Sequence, residues 1–312
     1  MKKTFLFFIL IIINSYIYSQ SAEEYDKLAH NKMELKDYQY AMVLITKAIE
    51  LDNKNQWYYL RQAEIEFNLT GPSEAIKIIR SAILLNKKES EPYNRAGTYY
   101  SSAGITDSAI AMYNYAIKFA KNDTLKNAYI SNRGAAKYSN RDFEGAVIDF
   151  ENVLIFNPED IGALLNASSG YSELGMVNKA IDALKKIIAI DPGFIGSYGN
   201  LGFIYSELDS LDLALKYFNK VSELDPNDAV NYNNRGNNYY KKGDYINALK
   251  DINLSIKMYP SNSYAYRNLA LVYIAMNKIN EACTALSFAN DYGFEKQYGT
   301  EVSELIKKHC KK

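Results

Sequence analysis

The residues with the most reactive side chains are few and far apart. The 312-residue chain has two histidines, His30 and His309, and two cysteines, Cys283 and Cys310. A general base or an activated nucleophile needs a partner within hydrogen-bond reach, and the sequence has no phosphate-binding loop, metalloprotease or hydrolase motif that would supply one. The spacing of the cysteines and histidines matches no standard zinc module. We therefore expect no enzyme, no metal site and no cofactor.

A pair of opposite charges recurs at a fixed spacing. Arg235 is followed sixteen residues later by Asp251, and Arg133 is followed at the same spacing by Asp149. In a helical hairpin that turns near residues 243–245, residue 235 lies level with residue 251. The equivalent pairs elsewhere in the chain contain neither arginine nor aspartate. The pattern predicts two ion pairs inside hairpins rather than a site that contacts phosphate.

Those hairpins follow from a repeat of small residues. Alanine recurs every 34 residues, with one interval of 37, at Ala41, Ala75, Ala109, Ala146, Ala180, Ala214, Ala248 and Ala282. Small residues also occupy the position twelve residues before each of these alanines, which indicates two helices in close contact. Proline follows four of the alanines by twelve residues and ends the second helix.

These residues resemble the tetratricopeptide repeat family, whose 34-residue repeat is a helix–turn–helix. The resemblance implies an all-α fold, a right-handed α-solenoid of eight repeats in one domain, 20–312. The repeats cover 22–55, 56–89, 90–123, 127–160, 161–194, 195–228, 229–262 and 263–296. We expect residues 124–126 to lengthen a loop, and residues 299–312 to form a capping helix that covers the last apolar face.

The resemblance also implies that the first helices line a concave surface that binds proteins. Asparagine recurs there every 34 residues, at Asn132, Asn166, Asn200, Asn234 and Asn268. Because an asparagine side chain can donate to and accept from one peptide unit, we expect this groove to hold an extended segment. Trp57, Arg61 and Arg95 would line its first part. Two alternatives stay open: asparagine is also the family's ordinary residue at this position, and Trp57 could instead fill a packing gap.

Both cysteines fall in the last repeat and its cap. Antiparallel packing of the helices that carry Cys283 and Cys310 makes a disulfide geometrically feasible, and two reduced thiols are the alternative. The disulfide is favoured because residues 1–19 resemble a secretory signal peptide, with Lys2 and Lys3 before the apolar run 5–13.

The composition excludes broad electrostatic binding. The chain has 36 basic and 36 acidic residues, so neither nucleic acid nor an anionic membrane is an expected partner.

We expect an exported, periplasmic or extracellular protein without a membrane span once the signal is removed. Its expected function is a non-enzymatic scaffold of the cell envelope. The alternatives are an assembly or chaperone factor for outer-membrane or secretion machinery and, from another class, an enzyme or small-molecule binder.

Overall fold

The computed structural model describes residues 20–310, so the predicted signal peptide lies outside the described residues. Within this range all regular structure is helical. The described residues fall into two compact units, 20–158 and 159–310, here called the N-terminal and C-terminal halves. Each half is a series of antiparallel helical hairpins.

The N-terminal half contains four hairpins. Their helices are α1 (Ala22–Glu34), α2 (Tyr38–Leu51), α3 (Gln56–Thr70), α4 (Pro72–Leu85), α5 (Ser90–Ser102), α6 (Thr106–Phe119), α7 (Asp123–Ser139) and α8 (Phe143–Phe156). Residues 124–126 are helical and extend α7 at its start. The expectation of a longer loop was therefore wrong: the inserted residues follow the N-cap Asn122, whose side chain accepts a hydrogen bond from the backbone N–H of Leu125.

The C-terminal half contains four more hairpins and two terminal helices. These are α9 (Ile161–Glu173), α10 (Val177–Ile190), α11 (Ile195–Glu207), α12 (Leu211–Leu224), α13 (Ala229–Lys241), α14 (Tyr245–Met258), α15 (Ser263–Ala275), α16 (Ile279–Asp291), α17 (Phe294–Tyr298) and α18 (Glu301–His309). Within the range predicted for the cap helix, 299–312, α18 covers Glu301–His309, and the short helix α17 precedes that range. Gly299, with φ of 93°, interrupts them because this backbone conformation does not continue a helix.

Each hairpin is held by a small residue that faces a large one. The eighth residue of a repeat lies on the first helix, opposite the twenty-fourth residue on the second. A Cβ atom built on Gly202 would lie 2.6 Å from Cε1 of Phe218, and one on Gly134 would lie 2.7 Å from Cε1 of Phe150. Where the first position is not glycine, as at Ala270, the opposite residue is smaller, as at Leu286. The recurring small residues therefore provide space for a core side chain.

The last hairpin is covered by the terminal helices. Phe294 and Val302 are buried in one cluster with Leu286 and Ala289, and Leu305 and Ile306 pack against the same cluster. The cap thus removes from solvent the apolar face that a further repeat would otherwise cover.

Candidate functional site

The predicted groove residues all lie on first helices, but many of them bind other protein residues. In three places the sixth residue of one repeat bonds to the fifth residue of the repeat before it. These contacts are Arg61 to Asp26, Asn132 to Asn94, and Asn268 to Asn233. The side-chain distances are 3.2 Å for Arg61 Nη2 to Asp26 Oδ2, 3.0 Å for the Asn132 amide and 2.9 Å for the Asn268 amide. The contacts fasten neighbouring first helices to each other.

Asn268 does not line a groove. Its side chain is 1% exposed, and its amide nitrogen donates to Asn233 while its oxygen accepts from Arg267. The prediction that Asn268 faces a ligand is corrected for this reason: its donor and its acceptor both serve the packing of α13 against α15.

Arg95 is neutralised by two carboxylates. Its guanidinium lies 2.8 Å from Glu91 on the same helix and 3.0 Å from Glu64 on α3. Burial works against the charge, but the Glu91 hydrogen bond and the Glu64 charge outweigh it and raise the pKa of Arg95 above its usual value. Arg61 also forms an ion pair, with Asp26. Neither of these two predicted arginines therefore offers an unpaired positive charge to a ligand. Trp57 is different, because half of its surface remains exposed.

Two asparagines of the predicted series remain available to a ligand. Asn200 on α11 is exposed, and no other described residue forms a hydrogen bond with its side chain. Asn234 on α13 is half-buried, and its oxygen has a single long contact of 3.5 Å with the amide of Asn233. The fifth residue of the preceding repeat is Leu165 in one case and Gly199 in the other. Neither has a side chain that can hydrogen-bond, so neither Asn200 nor Asn234 is bound to the preceding repeat. Asn166 on α9 is also half-buried.

The available amides lie beside two clefts in the C-terminal half. The first, of about 310 Å³, lies between α11 and α13. The second, of about 620 Å³, is bounded by α13, the start of α15 and α17. Both volumes fall in the range of ~300–1,000 Å³ typical of ligand sites. Phe203, Val230 and Asn234 line both clefts, so the two form one continuous surface, here called the α11–α15 surface.

Apolar and aromatic side chains form about half of the lining of the α11–α15 surface. Phe203 is 56% exposed and Val230 is 57% exposed, although both lie on first helices at positions adjacent to the asparagines. Tyr259, Tyr264 and Tyr298 line the second cleft. Sequence reasoning missed Phe203 and Val230. Their place in the repeat could have identified them. Phe203 follows Asn200 by three residues and Val230 precedes Asn234 by four, and these spacings place each pair on one face of a helix.

The α11–α15 surface carries almost no charge. None of the residues that line the second cleft is ionisable as an acid or base at neutral pH. The first cleft has one carboxylate, Asp228, whose Oδ1 accepts a hydrogen bond from the backbone N–H of Asn231 as the N-cap of α13. The surface therefore suits an uncharged ligand.

The two recurring arginines act as structural ties. Arg235 binds both oxygens of Asp251 at 2.6 and 3.0 Å, and Arg133 binds Asp149 at 2.9 and 2.6 Å. Both aspartates are buried. The remaining nitrogen of each guanidinium reaches the second helix of the preceding repeat, where Arg133 bonds to Asn114 and Arg235 to Asn219. Each arginine thus connects three helices, and the sequence reasoning did not include the asparagines.

The cysteines are joined in a disulfide. Cys283 near the start of α16 and Cys310 after the end of α18 have Cα atoms 5.6 Å apart. The bond fixes the cap to the last hairpin. Within residues 20–310 no cluster of three or more histidine, cysteine, aspartate or glutamate side chains has the arrangement needed to hold a metal ion. In the same range no helix is long and apolar enough to cross a bilayer.

Comparison with known proteins agrees with the repeat structure. Residues 161–194, 195–228 and 229–262 match a tetratricopeptide repeat family model. No curated protein sequence matches the chain.

Among solved structures, a tetratricopeptide repeat protein from Parabacteroides merdae is 18% identical, with a TM-score of 0.67 over 82% of this chain and 99% of that one. The type IV pilus biogenesis factor PilW is 20% identical, with a TM-score of 0.59 over 66% and 94%. The APC/C hetero-tetramer Cut9–Hcn1 includes a chain that is 15% identical, with a TM-score of 0.61 over 88% and 53%. At these identities the likeness concerns the fold alone. The family match identifies residues 161–262 as three tetratricopeptide repeats, and the solved structures share the fold of helical hairpins.

Proposed function

We propose that the protein is a non-enzymatic scaffold that binds an extended, uncharged polypeptide segment on the α11–α15 surface. The tetratricopeptide repeat fold is generally an interaction scaffold. The observation that carries the proposal is the continuity of two clefts around Phe203, Val230 and Asn234, beside amides that the protein itself leaves unused.

The geometry of the amides supports an extended peptide as the ligand. Packed helices lie ~8–10 Å apart, and an extended chain advances ~3.3 Å per residue. Asn200 and Asn234 lie on neighbouring first helices. Their spacing therefore allows them to hydrogen-bond with about every third residue of such a chain. Each amide can donate to a carbonyl and accept from an N–H of the same peptide unit. The exposed apolar side chains between them supply contact area that does not depend on charge.

The compartment proposed is the cell envelope or the exterior. The support is the signal-like sequence of residues 1–19, with its basic start and apolar run. A disulfide between the only two cysteines suits an oxidising compartment. Amino-terminal sequencing of the protein recovered from envelope and culture fractions tests this point: a mature chain that begins close to Ser19 supports export, and an intact Met1 in the cytoplasmic fraction contradicts it.

Site-specific photo-crosslinking tests the binding surface. A benzophenone amino acid would replace Val230 on the α11–α15 surface or, as the matched control, Ile246 on the second helix α14, which is 81% exposed. After irradiation with envelope extract, we expect protein adducts at position 230 that disappear when Asn166, Asn200 and Asn234 are changed to alanine. Adducts at position 246 alone, or adducts at 230 that are insensitive to the three changes, would place binding on another surface.

A further inference from the structure

Asn231, one of the residues that line the first cleft of the α11–α15 surface, has a buried hydrogen-bond acceptor without a partner. Asn231 is 3% exposed and lines this cleft. Its nitrogen donates to the carbonyl of Phe218 at 3.1 Å and to Ser222 Oγ at 2.8 Å. Because the Phe218 carbonyl can only accept, these bonds fix the orientation of the amide. The oxygen Oδ1 is left buried and unpaired, which is costly unless a ligand supplies a donor.

The rest of the cleft is shaped for a large apolar group. Its apolar lining consists of the side chains of Ile195, Phe203, Phe218, Val221 and Val230. Gly199 leaves it open, since a Cβ atom at this position would meet no atom within 4 Å. Apolar walls disfavour the burial of a lysine or arginine side chain, and Asp228 disfavours a carboxylate by charge repulsion.

We infer that this cleft is a specificity pocket for one aromatic side chain that carries a hydrogen-bond donor, tryptophan or tyrosine, in the bound segment. This inference rests on the proposed function. The ring fills the apolar space, and the indole N–H or the phenol O–H supplies the donor that Asn231 Oδ1 lacks. Phenylalanine or leucine would fill the space but leave the oxygen unpaired, so the pocket discriminates against them by a polar contact.

Selection from a phage-displayed library of random linear peptides tests the inference on the full protein. We expect tryptophan or tyrosine to be enriched at one position, and no enrichment of lysine, arginine, aspartate or glutamate there. The same selection on Gly199→Leu, whose added side chain occupies the open space, should lose this preference. Selected peptides without an aromatic position, or an unchanged preference on Gly199→Leu, would overturn the inference.

A pair of synthetic peptides isolates the hydrogen bond. One carries tryptophan at the enriched position and the other carries 3-benzothienylalanine, which has nearly the same shape but no N–H. If tyrosine is enriched instead, the pair is tyrosine and phenylalanine. Titration calorimetry should show about threefold to tenfold weaker binding without the donor. Equal affinities would overturn the role of Asn231. If Val230 still crosslinks to partners in that case, the proposed function stands and only the specificity pocket is lost.

Discussion

Arg235 and Asp251 form a two-point ion pair between the two helices of one hairpin, and the free end of the same guanidinium bonds to Asn219 of the hairpin before it. Burial of Arg235 opposes its charge, but the hydrogen bonds and charge of Asp251 dominate and raise its pKa. The guanidinium also lies over the Tyr232 ring, 5.1 Å from its centroid. The arginine therefore stays charged in the core, and its contribution to the stability of the fold depends on the residues that bind it.

Removing Asp251 should cost more than removing the pair. Asp251→Ala leaves a buried guanidinium without its counter-ion, and we expect a loss of about 3–5 kcal/mol in the free energy of unfolding. Arg235→Leu together with Asp251→Ala should cost less, because no charge remains buried. Urea denaturation of the two variants and of Arg235→Leu completes the double-mutant cycle, and additive effects would contradict the coupling.

Gly202 should tolerate alanine only when Phe218 is made smaller. In an exposed helix, glycine to alanine gains about 1 kcal/mol, but here the added Cβ would lie 2.6 Å from the Phe218 ring. We expect Gly202→Ala to cost about 1–3 kcal/mol. In a Phe218→Leu background the same change should be neutral or stabilising, as the pair Ala270 and Leu286 illustrates. Thermal unfolding of the four proteins measures the sign, and a loss in both backgrounds would show that the ring is not the cause.

Gly199→Asn should occupy the amide of Asn234. Position 199 is the fifth residue of the repeat before that of Asn234, and Asn233 has the same position relative to Asn268. A new asparagine at 199 can therefore form with Asn234 the side-chain bond that Asn233 forms with Asn268. We expect a gain in stability of about 0.5–1.5 kcal/mol and a loss of ligand binding on the α11–α15 surface. Peptide binding followed by fluorescence anisotropy, with Gly199→Ala as the control that adds no polar group, separates the two effects. Undiminished binding would argue against a role for Asn234.

Alkaline pH should weaken the N-terminal half through Tyr99. Burial raises the pKa of Tyr99 to about 12, with the charge of Arg95 only partly opposing it. Below pH 10 both folded and unfolded states keep the phenol proton, so stability is unaffected. Between pH 10 and 12 only the unfolded state loses the proton, and stability falls as pH rises, by on the order of 2–3 kcal/mol. Tyr99→Phe should reduce this slope relative to wild type in urea titrations at each pH, whereas parallel slopes would assign it to other groups.

Reduction should loosen the cap before the rest of the C-terminal half. The 27-residue separation of Cys283 and Cys310 corresponds to about 3.5 kcal/mol on the loop-entropy estimate. Cys283→Ser with Cys310→Ser should therefore speed amide hydrogen exchange most in α16 and α18, and a reductant should reproduce this in the wild type only. Exchange that is unchanged by reduction would mean that apolar contacts alone hold the cap.

The sequence alone was enough to predict the repeats and the pairing of Arg235 with Asp251, because both depend on contacts inside one repeat and recur at a fixed spacing. It was not enough to assign the groove. Arg61 and Asn132 were expected to face a ligand, but each bonds to the fifth residue of the preceding repeat. Such contacts depend on how two successive first helices face each other, which no single repeat reveals.

Four of the five asparagines at the sixth position of the repeat, all but Asn166, differ in their contacts according to the fifth residue of the preceding repeat. Asn132 and Asn268 are bonded where the preceding fifth residue is also asparagine, at Asn94 and Asn233. No such bond forms where that residue has no hydrogen-bonding group, as at Leu165 or Gly199. The exposed aromatic surface was harder to anticipate, since tyrosine is abundant throughout this chain, with 28 residues, and several of them, such as Tyr99 and Tyr113, lie in the core.

The disulfide between Cys283 and Cys310 also bears on how this repeat array can grow. A gene duplication that copies an internal hairpin inserts a unit whose two faces already match its neighbours. A copy of an internal hairpin inserted after α16 would separate the cap from Cys283 and leave two thiols unpaired. We therefore expect the array to lengthen during evolution by insertion of hairpins in its interior. Such insertions leave the cap joined to the last hairpin by the disulfide.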